Sequence, residues 1–453
     1  MRVSPLDAWI AARLGERLSR ETLERHQLGM LRRTVAWAAQ ASPFYRQRLR
    51  GHDPAGLTSL ERLAEFPFTT ADDLRQQGPG LLCVSQGQVA RVVTLFSSGT
   101  SGPAKRIYFT QGDLQGTMDF FQHGMATFTN PGERVLILLP CERPDSVGDL
   151  LARALTRLGA LPLPHGPVAD PAATARLVAQ RRATCLVGAP VQVLSLARGA
   201  GTDRLTPGLV RSVLLSTDYI PRALSQALED AWGCRVYAHW GLTESGLGGG
   251  VECQAHQGYH IREADLYLEV VDPASGAPLP PGRTGEVVLT TLTRRGMPLL
   301  RYRTGDLAAW LPGDCPCGSL LRRLGRVQGR LGAGAALGGG RELGIAELDE
   351  ALFALPGLLD YRAALASEGP GDVLDVGLVP GDQALGGEDL LAAAEQALLR
   401  LLDSKLERRA QPRVVLKLAA PGPLGLAGLA KRVLVDRRSG PARGKPLGDG
   451  DEP

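Results

Sequence analysis

An α/β fold with a large N-terminal domain and a small α+β C-terminal domain is predicted by three features of this 453-residue chain. Between about residues 90 and 240, short β-rich runs alternate with longer helical patterns, which requires crossover connections and mostly parallel sheets. Residues 259–311 change character: two strand-like runs flank a Pro/Gly turn at 278–282, as in a meander or small barrel-like part. A glycine-rich stretch at 329–340 then separates this region from a further helix–strand–helix–strand pattern. The expected boundaries are therefore 1–328, a hinge at 329–340 and a mobile domain at 341–438. The tail at 439–453 is rich in Gly, Pro and charge and is expected to be disordered.

Each element has a local reason. Apolar positions at helical spacing through Leu28, Leu31 and Val35 predict a helical region over about 7–50, ending near Ser42-Pro43. Val92, Val93 and Leu95 make a strand that runs into a Ser/Gly/Thr-rich loop. Val135 to Leu139, Thr184 to Val187 and Val210 to Leu215 are buried-strand candidates, with helices at about 150–158, 171–182 and 221–232. Leu266–Val271 and Gly285–Leu292 form the antiparallel part. Gly332 to Gly340 carries too many glycines to hold a fixed element. Beyond it, helices are expected at 345–354 and 388–406, and strands at 373–379 and 414–418.

Composition narrows the function classes. With 44% hydrophobic and 22% charged residues the chain is an ordinary globular protein, and a net charge of +4 is too small for a nucleic-acid footprint. No stretch approaches the roughly 20 apolar residues of a membrane span. Seven unevenly spaced cysteines do not suggest a disulfide framework, and the start of the chain shows no apolar signal core. The expectation is a cytoplasmic protein with neither nucleic-acid nor membrane partners.

Three motifs carry chemistry. Phe96 is followed by Ser97, Ser98, Gly99, Thr100, Ser101 and Gly102, and the run closes on Lys105. Hydroxyls, exposed backbone N–H groups and an ammonium suit a phosphate cluster, although the spacing is not that of a Walker A loop. In His239-Trp240-Gly241-Leu242-Thr243-Glu244, Thr243 can donate to a phosphate oxygen and Glu244 can hold magnesium. In Arg301-Tyr302-Arg303-Thr304-Gly305-Asp306, an aspartate after a tight glycine turn suits a ribose diol, and Gly329-Arg330 adds a guanidinium. His239 is either a packed histidine or a neighbour of an acid pocket. Tyr302 and Trp310 are expected to be core aromatics.

The order of these motifs, with Ser42-Pro43-Phe44-Tyr45, Phe66-Pro67-Phe68-Thr69-Thr70 and Ala430-Lys431-Arg432-Val433, resembles the phenylacetate–CoA ligase branch of the adenylate-forming superfamily. That resemblance implies a domain that binds ATP and a carboxylic acid, and a second domain that swings between two half-reactions. It implies an AMP- and pyrophosphate-forming acid–CoA ligase with ATP, Mg2+ and coenzyme A as cofactors, working on a small carboxylic acid. It places the triphosphate on 97–105 and adenine contacts at Ser216, Thr217 and Asp218. Trp240 and Gly241 lie near the base, phosphate and magnesium fall to Thr243 and Glu244, the ribose to Asp306, and a hinge role to Arg330. The N-terminal helical segment is compatible with a homodimer.

Cys253, His260, Cys315 and Cys317 supply three thiolates and one imidazole, a set suited to tetrahedral structural zinc, with His256 as a competing ligand. The other cysteines, Cys83, Cys141, Cys185 and Cys234, sit in apolar contexts and are expected to be buried. The chain departs from the family pattern in three places. The hinge lacks an acidic residue after Arg330. The Gly-Lys pair near the C-terminus is replaced by Gly428-Leu429-Ala430-Lys431, so Lys431 must act from two residues on. Residues 140–148 replace a Gly/aromatic-rich acid pocket with a more polar one. These departures keep two alternatives open: an adenylyl-transferring relative that does not use CoA, and a catalytically impaired adenylate-binding regulator.

Overall fold

The computed structural model describes residues 4–95, 103–199, 201, 205–337, 340–368, 371–382, 386–407, 410–422 and 431–438. The expected triphosphate loop, Ser97 to Gly102, lies outside these residues, as do Leu429 and the tail.

The predicted N-terminal helix is three helices, Pro5–Leu14, Arg20–Ala41 and Pro43–Arg48. Gly15 ends the first in the left-handed region at φ 70°, and Ser19 opens the second with a capping box to Thr22. These helices lie against the large domain, where Gln27 donates to Glu263 O at 2.8 Å and Thr34 to Leu292 O at 2.8 Å.

The central sheet has eight strands. Leu161–Pro164, Arg134–Ile137, Cys185–Gly188, Ser212–Leu215 and Arg235–Trp240 run parallel in that spatial order. Gly250–Glu252, Tyr259–Ile261 and Arg323–Leu324 continue it antiparallel. The inner strands Arg134–Ile137, Cys185–Gly188 and Ser212–Leu215 are buried almost throughout, as expected of strands covered on both faces, whereas the edge strand Leu161–Pro164 is partly exposed. Parallel sheets of this kind bind ligands beyond the carboxyl ends of their strands. Ser216 follows one such end, and His239 and Trp240 form the next.

Of the two readings for the antiparallel part, the meander holds. Leu266–Val271, Gly285–Thr291, Tyr302–Ala308 and Gly329–Arg330 form an open four-stranded sheet in sequence order. Gly305 is inside a strand rather than in a turn: its φ of 76° sits where the register with Glu286 and Val288 shifts, so it marks a bulge that re-aims Asp306.

The last unit is a four-stranded sheet in the order Arg413–Leu418, Gly371–Pro380, Leu358–Glu368, Leu434–Asp436. Ile345–Leu352 and Gly387–Asp403 pack on it. The glycine-rich joint is more ordered than its composition suggests, because Ala335–Ala336 pairs with Glu342–Leu343 as a short antiparallel ladder. Among the described residues no helix is long and apolar enough to cross a membrane.

Candidate active site

Three motifs far apart in sequence meet above the carboxyl ends of Ser212–Leu215 and Arg235–Trp240. Asp306 is buried and is held from two sides: Trp240 Nε1 donates to Oδ2 at 3.1 Å, and Arg330 Nε donates to Oδ1 at 2.9 Å. Arg330 also donates to Thr304 O at 2.8 Å. Register explains this meeting, since Asp306 lies directly opposite Arg330 in the antiparallel ladder.

Lys105 opens the strand Lys105–Thr110, so it is a strand residue and not the end of a loop. Its Nζ pairs with the Glu244 carboxylate and approaches the Tyr302 hydroxyl at 3.3 Å, while Tyr302 donates to Glu244 at 2.8 Å. Burial alone would raise the Glu244 pKa. The Lys105 ammonium and the hydrogen bonds outweigh it, so Glu244 titrates below the usual carboxylate range. Tyr302 is a buried core aromatic, as expected, and its hydroxyl joins this cluster, which residue type alone does not reveal. Alternation along Tyr302–Ala308 was the available signal, because Tyr302, Thr304 and Asp306 share one buried face.

Lys431 lies among charges of the same cluster. Its pKa is lowered, first by desolvation and then by Arg330, against the opposing pull of Asp306, Asp218 and Glu244. The residue nevertheless remains exposed to solvent. Thr243 and Gly241 fall in the turn that follows Trp240. A Cβ on Gly241 would come within 2.8 Å of His239 Cε1, so only glycine fits there.

The Ser216–Asp218 segment divides its tasks. Ser216 Oγ pairs with His239 Nδ1 at 2.9 Å. Thr217 adopts φ 79°, a costly conformation for a β-branched residue and one that tends to be kept at functional sites. Asp218 accepts from the backbone N–H groups of Tyr219 at 2.8 Å and Arg432 at 3.1 Å. That carboxylate thus holds the C-terminal unit, and burial raises its pKa.

Cys253, His260, Cys315 and Cys317 also converge, with all four ligand atoms within 4.8 Å of one another. Cys253 and Cys315 sulfurs are 3.6 Å apart, and Cys317 Sγ is 3.3 Å from His260 Nε2. Tetrahedral zinc with Zn–S bonds near 2.3 Å puts thiolates about 3.8 Å apart, so the donor set fits. His260 Nδ1 pairs with Leu321 O at 3.1 Å, which fixes the ring with Nε2 toward the cluster. His256 is outside it, at φ 50°, with its ring 4.8 Å from that of Tyr237. Cys83, Cys185 and Cys234 are buried as expected, whereas Cys141 is partly exposed beside the polar 140–148 segment.

The AMP-binding enzyme family profile matches residues 72–292. The phenylacetate–coenzyme A ligase of Thermus thermophilus is 34% identical over 332 residues, covering 70% of this chain and 72% of the relative. That of Pseudomonas putida is 31% identical over 335 residues, with 70% and 72% covered. Among solved structures, 2-hydroxyisobutyryl-CoA ligase in its postadenylation state superposes with a TM-score of 0.77 at 22% identity, covering 92% of this chain and 90% of that one. The chain belongs to the phenylacetate–CoA ligase family of AMP-binding, adenylate-forming enzymes.

Proposed function

We propose a set of residue roles for this chain as an ATP-dependent, AMP-forming acid–CoA ligase. It activates a carboxylic acid as an acyl-adenylate with release of pyrophosphate, then transfers the acyl group to the thiol of coenzyme A. The supporting observation is Asp306, a buried carboxylate fixed by Trp240 and Arg330 beside the Lys105–Glu244–Tyr302 cluster.

Asp306 holds the ribose hydroxyls, Trp240 and Gly241 border the base, and Ser216 and Thr217 line its edge. Lys105, Thr243 and the hydroxyls and glycines of 97–102 hold the phosphates. The carboxylate of the acid attacks the α-phosphorus, and crowding of negative charge is the main barrier, so fixed cations and donors do most of the catalysis. Lys431 supplies such a cation at the α-phosphate, two residues beyond the position where relatives carry lysine. Desolvation lowers its pKa first, and the Arg330 charge adds to that against the pull of Asp306, Asp218 and Glu244. Glu244 would hold magnesium, which neutralises phosphate charge when bound.

Asp218 is proposed to contribute to the adenine edge through its backbone, since its side chain serves Arg432 and Tyr219. Residues 329–340 act as the hinge between an adenylation domain, 1–328, and a mobile domain, 341–438. Cys253, His260, Cys315 and Cys317 would hold a structural zinc that staples the 258–261 strand to the 315–324 segment. A cytoplasmic setting and a homodimer complete the proposal.

Pyrophosphate release from ATP across a panel of carboxylic acids tests the first half-reaction, and mass spectrometry for a thioester after adding CoA tests the second. Release with no thioester would favour an adenylyl-transferring relative, and no release with any acid would favour a nucleotide-binding regulator.

A further inference from the structure

Arg262, directly after the strand Tyr259–Ile261, is a buried cation with 4% of its surface exposed. Its guanidinium donates to the Ser245 carbonyl and, at 3.4 Å, to Gly116 O, and it lies over the Phe120 ring at 5.2 Å. No carboxylate among the described residues forms an ion pair with it, and its Nε is buried with no hydrogen-bond partner. Asp265, which attracts it electrostatically, is already held by Arg13 at 2.8 and 2.9 Å.

His239 borders the same Phe120 ring, with centroids 6.1 Å apart. Its Nδ1 is taken by Ser216, while Nε2 is buried and unpartnered. The backbone closes in between: a Cβ at Gly246 would meet Arg262 Nη2 at 2.9 Å, and one at Gly248 would meet Phe120 at 2.5 Å. A buried guanidinium without an anion is destabilising, and an orphaned buried donor or acceptor adds to that cost. Structures keep such groups where something else completes them.

On the ligase reading above, the acyl part of the substrate extends from the α-phosphate toward the helix Gln111–Met125 that carries Phe120. We propose that the acid this chain activates is a dicarboxylic acid, whose second carboxylate takes Arg262 and His239 as its partners. A hydroxyl could satisfy either nitrogen but would leave the guanidinium without an anion, so the charge decides for the carboxylate. This inference rests on the ligase reading and names the substrate class of the same site.

The test measures kcat/KM for pyrophosphate release with dicarboxylic acids and with the monocarboxylic acids of equal carbon number. The wild-type protein is expected to prefer the dicarboxylic member of a pair. Arg262→Met is expected to reduce that preference ratio by about ten- to a hundredfold, as loss of a charge-assisted hydrogen bond does. His239→Leu should reduce it as well, chiefly through KM, and serves if Arg262→Met fails to fold. Wild-type preference for the monocarboxylic partner, or a preference unmoved in the folded variants, would overturn the inference while leaving the ligase reading intact. No release with any acid would overturn both.

Discussion

Asp306 is the residue on which most of the site converges, because two separate segments, at Trp240 and at Gly329–Arg330, direct a donor to it and the second is also its ladder partner. Replacing it with alanine removes the proposed ribose ligand and orphans the Trp240 indole N–H. ATP affinity is therefore expected to fall about ten- to a hundredfold, read by calorimetry, and an unchanged affinity would defeat the nucleotide assignment. Lys431 makes a sharper prediction, since it acts only as charge develops: Lys431→Ala should lower kcat of pyrophosphate release by about two orders of magnitude with little change in ATP affinity. His239 gives a pH signature. Burial, helped by Arg262, lowers its pKa from 6.5 to about 4. Between those two values the unfolded chain binds a proton that the folded one refuses, so this histidine costs stability progressively as pH falls. Wild type should lose stability relative to His239→Leu on acidification from about pH 6.5 to 4 in denaturant titrations. The comparison between the two proteins matters because Asp349, raised to about 6 by burial, contributes with the opposite sign over part of that window.

At the scale of elements, the cysteine–histidine cluster joins the strand end Glu252–Cys253, the strand Tyr259–Ile261 and the turn at 315–318. Backbone N–H groups of Ala255 and Ser319 point at Cys253 Sγ and Cys317 Sγ at 3.4 and 3.5 Å, as they do where sulfur carries negative charge. Purified protein is expected to hold about one zinc per chain by elemental analysis, and chelation should lower the melting temperature. Cys315→Ser should abolish binding and reproduce the lower melting temperature without chelator. The cluster was legible in sequence because ligand types are few and chemically distinct. Helices and buried parallel strands were legible too, since their periodicity is dictated by burial. Less visible were the strands Leu161–Pro164, whose prolines argue against a strand, and Leu358–Glu368, whose pattern is irregular. Tyr302 lies in the core as its residue type suggests, while the neighbours of its hydroxyl, Lys105 and Glu244, are too distant in sequence to be read locally. Nothing local in the sequence signals that Asp218 points to Arg432, a partner 214 residues away.

The whole molecule is held in its present arrangement by contacts between the large domain and the C-terminal unit. The helix Arg222–Trp232 begins after Pro221, which offers no side-chain cap. Glu350, on the helix Ile345–Leu352 of the C-terminal unit, supplies the cap instead. It accepts from Arg222 N at 3.0 Å to each oxygen and from the Tyr219 hydroxyl at 2.8 Å. An anion at a helix N-terminus is stabilised by the orphan N–H groups and the dipole, so this latch satisfies one domain with a residue of the other. Arg198 adds donors to Leu355 O and Leu358 O at 3.1 and 2.7 Å, and Arg432 ties Asp218 to Asp349. This arrangement also keeps Lys431, the residue beside Arg432, within electrostatic reach of Asp306 and Glu244. Losing the latch should therefore weaken the adenylation half-reaction selectively. Glu350→Ala removes a cap worth about 1 kcal/mol, which corresponds to roughly a fivefold shift in the balance between domain arrangements. Single-turnover pyrophosphate release should slow by about that factor, while transfer from a preformed acyl-adenylate to CoA should keep its rate or gain. Equal slowing of both half-reactions would mean that Glu350 supports the fold alone and does not select between arrangements.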